Sequence, residues 1–255
     1  VMLKNERQHK ISELVKTKKS ITVGQLASML YVSEATVRRD LNELEKSGVL
    51  KRSHGGAFLP EGGAVESPGM IRELQSVHDK RLIAGLVRDF LRADTTVFMD
   101  SSSSAGAVIP YLGARSPVSV ITNGIRNCLK LMEQGGARVY LCPGVVNGYS
   151  EAALGTDAVK YAAGFCADLC VISCGGISKM RGVTEASREQ AQIKRQMLKN
   201  SAMRLLLCDS SKFGRDCMSI LGGFDMFDYI LTDTAPPPSL AEAIKSAGCE
   251  IITAQ

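Results

Sequence analysis

Seven strand-length apolar runs, alternating with helical stretches, constrain this chain more than any other feature. TTVFMD, VSVIT, RVYLC, DLCVIS, RLLLCD, DYILTD and EIIT follow one another from residue 95 to residue 253. Between most of them lie stretches that read as helices, around residues 105–112, 125–134, 156–165, 187–202 and 239–247. Runs that are apolar at every position belong to strands covered on both faces, and parallel strands need crossover helices to connect them. The expectation is a mainly parallel, doubly wound α/β sheet. A further helix is expected over residues 71–91, with Leu82, Ile83, Leu86, Val87 and Phe90 as its apolar stripe.

The first fifth of the chain is different. Residues 1–57 hold 11 Lys and Arg against 6 Asp and Glu, so the whole net charge of +5 resides there and the remainder is neutral. That asymmetry suggests a small nucleic-acid-binding module on a neutral body, although a solvated basic face would give the same count. The pattern inside the segment is more specific. Ile11, Leu14 and Val15 recur at helical spacing, and Thr22 caps a short helix with an inner face of Val23, Leu26, Ala27 and Leu30. Ser33 then caps SEATVRRDLNELEKSG, and Gly48 can end that helix in the left-handed conformation. Two helices joined by a turn of about three residues make a helix-turn-helix, the second being the reader.

At about 100° per residue, Val37, Leu41 and Leu44 form a narrow inner seam of the second helix. Ala35, Arg38, Arg39, Asn42 and Lys46 fall on the far side. Arginine can bond a guanine edge bidentately, asparagine an adenine edge, and any cation a phosphate. Ser33 and Thr36, at the helix start, are placed for phosphate or base contact. VLKRSHGGAFL then reads as two short strands around the turn His54, Gly55, Gly56, a wing offering Lys51, Arg52 and His54 to the DNA backbone. The expected domains are a winged helix-turn-helix over 1–58, a Gly/Pro/Glu-rich linker over 59–70, and the α/β body over 71–255.

In such sheets, ligands sit beyond the carboxyl ends of the strands. The first strand ends in Asp100, followed by Ser101, Ser102, Ser103 and Ser104, whose hydroxyls and amides could cradle a phosphate or simply cap a helix. The second ends in Thr122, Asn123 and Gly124, and the third in Cys142, Pro143 and Gly144. The fourth ends in Ser173, Cys174, Gly175 and Gly176, where missing side chains could admit a ligand. The fifth ends in Asp209, Ser210, Ser211 and Lys212. Polar and glycine-rich ends on one side predict a site for a small, polar, anionic molecule.

The run at residues 32–57, VSEATVRRDLNELEKSGVLKRSHGGA, resembles the N-terminal signature of the DeoR family of bacterial transcription regulators. The shared pattern is the VS-x-x-T-[IV]-RRDL reader helix, the Leu-x-x-x-Gly exit and the R-x-HGGA wing. By this resemblance, Thr36, Arg38 and Arg39 carry operator recognition. The body continues it: Asp100 with its serines, Thr122–Asn123, DSSKFG at 209–214, Thr232 with Asp233, and HDKRLIAG with Asp79 in an acidic position all resemble family segments. The resemblance implies a ribose-phosphate-isomerase-like domain that senses a phosphorylated sugar and controls affinity for double-stranded operator DNA. Two departures stand out: four serines replace the commoner Gly-Thr-Thr, and Pro143–Gly144 replaces Gly-Gly.

The expected function is a DNA-binding repressor of a carbohydrate-utilisation operon, working as a homodimer or homotetramer because helix-turn-helix proteins read paired half-sites. The alternative from another class is a sugar-phosphate isomerase with a DNA-binding appendage, using Asp100, Glu185 and Lys212 as its base and cation. No cofactor is implied. Eight cysteines lie beyond residue 57 without a CxxC or a neighbouring His, which argues for reduced thiols and no metal. No apolar run approaches the roughly 20 residues that span a bilayer, and the polar start, VMLKNERQHK, lacks a secretory core, so a cytoplasmic, non-membrane protein is expected.

Overall fold

The computed structural model describes residues 3–18, 20–46, 50–53, 55–58, 72–73, 75–112 and 118–254. The side chains of residues 16, 17, 46, 51, 53 and 58 are not among those described. The chain divides into two compact units, one built on residues 1–62 and the other on residues 76–255.

In the first unit, helix α1 (Lys4–Lys18) precedes strand β1 (Ser20–Thr22), and helix α2 (Val23–Leu30) precedes helix α3 (Glu34–Lys46). Thr22 starts α2 through a reciprocal cap: its hydroxyl accepts from the Gln25 amide at 3.2 Å, and the Gln25 side chain accepts from the Thr22 amide at 3.0 Å. Ser33 does the same work for α3, its Oγ accepting from the Thr36 amide at 3.2 Å. The helices close on Ile11, Val15, Leu26, Leu30, Val37, Leu41 and Leu44, joined by Ile21, Leu50 and Ala57 from the strands. Strands β2 (Lys51–Ser53) and β3 (Gly56–Phe58) form the wing as an antiparallel pair.

The wing differs from expectation in two respects. Its sheet has three strands in the order β1-β3-β2, with Ser20–Thr22 on the outer side of β3. Gly56 is a paired strand residue rather than part of the turn, and a Cβ there would lie 2.2 Å from the Ile21 carbonyl oxygen. The expected contacts of His54, the helix end at Gly48 and the linker over 59–70 lie outside the described residues.

In the second unit all seven apolar runs are strands of one sheet: β4 (Thr96–Met99), β5 (Val118–Thr122), β6 (Ala137–Leu141), β9 (Ala167–Ser173), β12 (Ser201–Leu207), β14 (Tyr229–Thr232) and β15 (Glu250–Thr253). The order across it is β15-β14-β12-β9-β4-β5-β6, with every pair parallel. Alternate residues serve opposite cores. Phe98, Ile121, Ile172 and Leu206 pack on one face, whereas Val97, Met99, Val120, Val171 and Leu205 pack on the other. Two buried faces are why these runs show no polar alternation. The order reverses between β4 and β9, so the carboxyl ends of these strands flank the crevice that doubly wound sheets use for ligands.

Several short elements were not foreseen. A hairpin of β7 (Val145–Asn147) and β8 (Ala152–Leu154) follows β6. A small antiparallel sheet of β10 (Gly176–Ser178), β11 (Gly182–Glu185) and β13 (Ser219–Gly222) follows β9. Two helices are shorter than their patterns. Among the described residues of the stretch over 71–91, 72–73 are helical, 75–76 form a bend, an α-helix runs over Val77–Leu86, and the chain then tightens at Val87–Phe90. The stretch over 105–112 is a single turn, Ser103–Gly106, and a tighter turn at Ile109–Tyr111 that carries Pro110, whose ring removes a helix donor.

Candidate functional site

The outer face of α3 is as its angles predict. Val37, Leu41 and Leu44 are buried, while Ser33, Ala35, Arg38, Arg39 and Asn42 are exposed and Thr36 is half-buried. Asp40 also turns inward, and its carboxylate meets the Arg7 guanidinium of α1 at 2.5 Å. This pair clamps α1 to α3 behind the reading face and holds the Arg7 pKa above its ordinary value, chiefly through the hydrogen bond to Asp40. Arg38 pairs with Glu34 one turn back at 3.0 Å. From the wing, the Arg52 guanidinium donates to Asn42 Oδ1, and the Arg52 amide donates to Glu45 Oε1 at 2.8 Å. The wing is thus registered on the reader helix. The side chains of Lys46 and Lys51, and His54 altogether, lie outside the described residues.

In the second unit the carboxyl ends of β4 and β9 meet in a buried polar cluster. Asp100 is fully buried. Its Oδ1 accepts from the Ser102 amide at 3.0 Å and the Ser102 hydroxyl at 2.5 Å, and its Oδ2 accepts from the Ser173 amide at 3.1 Å. Lys194, from the helix Arg188–Lys199, lies 3.0 Å from Asp100 Oδ2, also binds Glu185, and donates to the Ser173 carbonyl at 2.9 Å. Burial opposes the Lys194 charge, but Asp100 and then Glu185 outweigh it and hold its pKa above the ordinary value. Burying charges this deep is costly unless they are paired and hydrogen-bonded, and here the two carboxylates share one ammonium and several N–H and O–H donors.

Ser173 links this triad to a second lysine. Its hydroxyl accepts from Lys212 Nζ at 2.7 Å, and Lys212 also pairs with Asp209 at 3.2 Å. Burial opposes both charges, yet each outweighs it for the other: the Lys212 pKa is raised and the Asp209 pKa is lowered. Lys80, buried on the helix Val77–Leu86, adds a smaller lowering influence on Asp209. Asp233 accepts from the Ser210 amide and hydroxyl, both at 2.7 Å, fixing the loop that carries Lys212. Next to Ser173, Cys174 Sγ lies 4.0 Å from Cys208 Sγ.

The expected effector residues divide into roles. Ser101 is half-buried and its hydroxyl accepts from the Gln190 side chain at 3.0 Å. Ser102 is occupied in capping, accepting from the Ala105 amide at 3.1 Å, and Ser104 is buried. Ser103 is half-buried. Asn123 is fully buried; its amide donates to the Ala153 carbonyl at 3.3 Å, and its Oδ1 has no hydrogen-bond partner among the described residues.

Three of the expected glycines are closely approached by other parts of the chain. A Cβ on Gly175 would lie 2.6 Å from Cys217 Sγ, and one on Gly176 would lie 2.4 Å from the Arg215 carbonyl oxygen. Their missing side chains make room for the chain's own 215–217 segment. Gly144 has a positive φ of 143°, and a Cβ there would lie 2.4 Å from the Leu154 carbonyl oxygen. It shapes the β7–β8 hairpin beyond the edge strand β6, with β5 between that strand and β4.

Gln190, Lys194 and Asn127 were missed. Asn127 donates to the carbonyls of Asp100 at 2.8 Å and Ser102 at 3.2 Å, bracing the serine loop. The signal for Lys194 was its helical spacing from the buried Ala191, Met197 and Leu198. The isomerase alternative meets a physical obstacle here. Asp100 and Glu185 are buried and locked onto Lys194, so neither has a face from which to take a substrate proton. Among the described residues no His, Cys, Asp and Glu group could hold a metal, and no helix is long and apolar enough to cross a membrane.

A winged helix-turn-helix followed by an α/β unit defines a helix-turn-helix DNA-binding protein with a second domain. Comparison with known proteins gives its family. Residues 7–62 match the DeoR-like helix-turn-helix domain, and residues 75–234 match the DeoR C terminal sensor domain. The glycerol-3-phosphate regulon repressor of Escherichia coli K12 is 30% identical over 243 residues, covering 95% of this chain and 96% of that one. The HTH-type transcriptional regulator GolR of Listeria innocua is 29% identical, with 98% of each chain covered. The transcriptional repressor AccR of Agrobacterium fabrum is 28% identical, covering 90% of this chain and 89% of that one. The chain belongs to the DeoR family, and is a DNA-binding transcriptional repressor rather than an enzyme. A solved D-ribose-5-phosphate isomerase in complex with phospho-erythronic acid aligns over 52% of each chain at 13% identity, with a TM-score of 0.39.

Proposed function

We propose that this chain represses a carbohydrate-utilisation operon and leaves its operator when a phosphorylated sugar binds the second unit. The observation that carries the reading is the position of the Asp100–Lys194–Ser173–Lys212 network, at the strand ends where the sheet order reverses. In this reading Lys212, with amides and hydroxyls at Ser101 and Ser103, receives the phosphate. Asn123 Oδ1, a buried acceptor awaiting a donor, and the Ser101–Gln190 pair receive sugar hydroxyls. Asp100, Ser102 and Ser104 hold that surface in shape. The Escherichia coli relative carries a phosphate monoester, glycerol 3-phosphate, in its name, which supports the ligand class.

Operator recognition falls to Ser33, Thr36, Arg38, Arg39, Asn42 and the wing residues Lys51, Arg52 and His54. Paired half-sites call for a homodimer or homotetramer, acting in the cytoplasm where the DNA is. The proposed division is a reader over 1–58, a linker over 59–70 and a sensor over 71–255. The effector shifts DNA affinity only by the difference in its own affinity for the DNA-bound and released states.

The test is selection of sheared host genomic DNA on the purified protein, with and without a pool of sugar phosphates. Enrichment of a few promoter regions, lost in the presence of the pool, is the expected result. Enrichment indifferent to pentose and hexose phosphates refutes the effector class while leaving the DNA reader intact.

A further inference from the structure

Tyr31 stands at the turn between α2 and α3 with 94% of its surface exposed. Its backbone is left-handed, with φ 53° and ψ 44°, and closes α2 by donating its amide to the Ala27 carbonyl. That conformation is what the fold requires here: α2 must stop so that Ser33, two residues on, can cap α3. Glycine meets this need without steric cost and asparagine is well tolerated there, whereas a tyrosine meets it against the preference of its Cβ. Nor does the ring bury anything in return, as the unit's core is complete without it. The side chain therefore serves neither the turn nor the core.

What remains is its position. The N-terminal turn of a reader helix is the part that enters the major groove, so residues just before it lie against the sugar–phosphate backbone. A tyrosine hydroxyl is a donor that phosphate oxygens accept, and an aromatic ring covers deoxyribose. Ser33 and Thr36, whose hydroxyls are hydrogen-bonded to each other at 2.9 Å, leave one further neutral O–H donor on the same turn of chain. We propose that Tyr31 is a DNA-backbone contact, its phenol donating to a phosphate beside the reader helix and setting how that helix enters the groove. The proposal rests on α3 being the reader.

The experiment uses the full chain and a duplex enriched from a randomised library by the unaltered protein. Affinity is measured across a salt series, and thermal unfolding is followed in parallel. Tyr31→Gly is expected to hold or raise the unfolding midpoint, because it relieves the left-handed strain, while weakening the duplex about tenfold, the loss of one hydrogen bond to a charged group. Tyr31→Phe is expected to lose most of that factor, and neither variant changes the salt slope, since a neutral phenol displaces no counterion. Arg38→Ala serves as the control on the reader helix. Unchanged affinity in Tyr31→Gly with a weakened Arg38→Ala overturns the Tyr31 contact alone. Unchanged affinity in both overturns the reader assignment and the contact together. Affinity in Tyr31→Gly that falls only in step with a lowered midpoint also overturns it, because the residue is then structural.

Discussion

Lys194 holds its ammonium 3.0 Å from Asp100 Oδ2, tying the helix that follows β11 to the end of the first strand of the sheet. With Glu185 on its other side, one buried cation serves two buried carboxylates. Removing the cation alone leaves both carboxylates uncompensated. Lys194→Met is expected to cost about 3–5 kcal/mol, read as a lower urea midpoint at pH 7. Adding Glu185→Gln and Asp100→Asn to that variant should cost less than the three separate losses summed, because the members share partners. Additive losses would show that the triad is not a unit.

Arg39 is exposed on the reading face beside Arg38, which already has a partner in Glu34. Arg39→Ala is expected to weaken binding to a selected operator by about 1–3 kcal/mol, measured by fluorescence anisotropy at fixed salt. The unfolding midpoint should stay within the range of ordinary surface substitutions. A midpoint that falls together with affinity would assign Arg39 to the fold instead.

The large sheet was legible from unbroken apolar runs, and the reading face from its helical period. Both faces of β4, β5, β9 and β12 are buried, so their runs are apolar throughout, and the outer residues of α3 fall on one arc. The strands of the small sheet and of the hairpin are three or four residues long, too short for any alternation to register. Asp100 was readable as a strand-end carboxylate, but its partner Lys194 sits among Arg188, Arg195 and Lys199, equal in charge and different only in which way the helix turns them. Asp40 is hidden for another reason: Arg7 lies 33 residues away, and pairing at that distance leaves no local mark. Gly175 and Gly176 signal close approach without saying of what, and the structure brings the 215–217 segment against them.

The Arg7–Asp40 pair predicts a failure of DNA binding at a distance from the DNA. Asp40→Ala leaves the Arg7 guanidinium, 12% exposed, without its carboxylate. Loss of about 3 kcal/mol is expected, confined to the first unit. Hydrogen exchange should quicken in α1 and α3 while the parallel sheet keeps its protection. Uniform quickening in both units would contradict the assignment.

Lys212 is the cation that the proposed effector site uses and the DNA reader does not. Lys212→Met is expected to keep operator affinity and lose release by sugar phosphates, as followed in the same anisotropy assay. Because Asp209 then lacks its partner, some stability falls as well, and the assay is run well below the unfolding midpoint. Full release by the sugar phosphate that acts on the unaltered chain would remove Lys212 from the site.

The Asp209–Lys212 pair also sets an acid limit. The Asp209 carboxyl is held below its ordinary value of 3.8 because Lys212, with the Ser211 hydroxyl, outweighs the cost of burial. A carboxyl lowered on folding contributes stability that is present above its unfolded pKa and is lost as pH falls through the folded one. The unaltered protein should thus lose denaturant stability below about pH 4 more steeply than Asp209→Asn, which has no carboxyl to titrate. At pH 7 the variant should be the less stable of the two, since Lys212 has lost its counter-charge, and the two curves should approach each other as the pH drops. Parallel curves across that range would show that Asp209 carries no linkage.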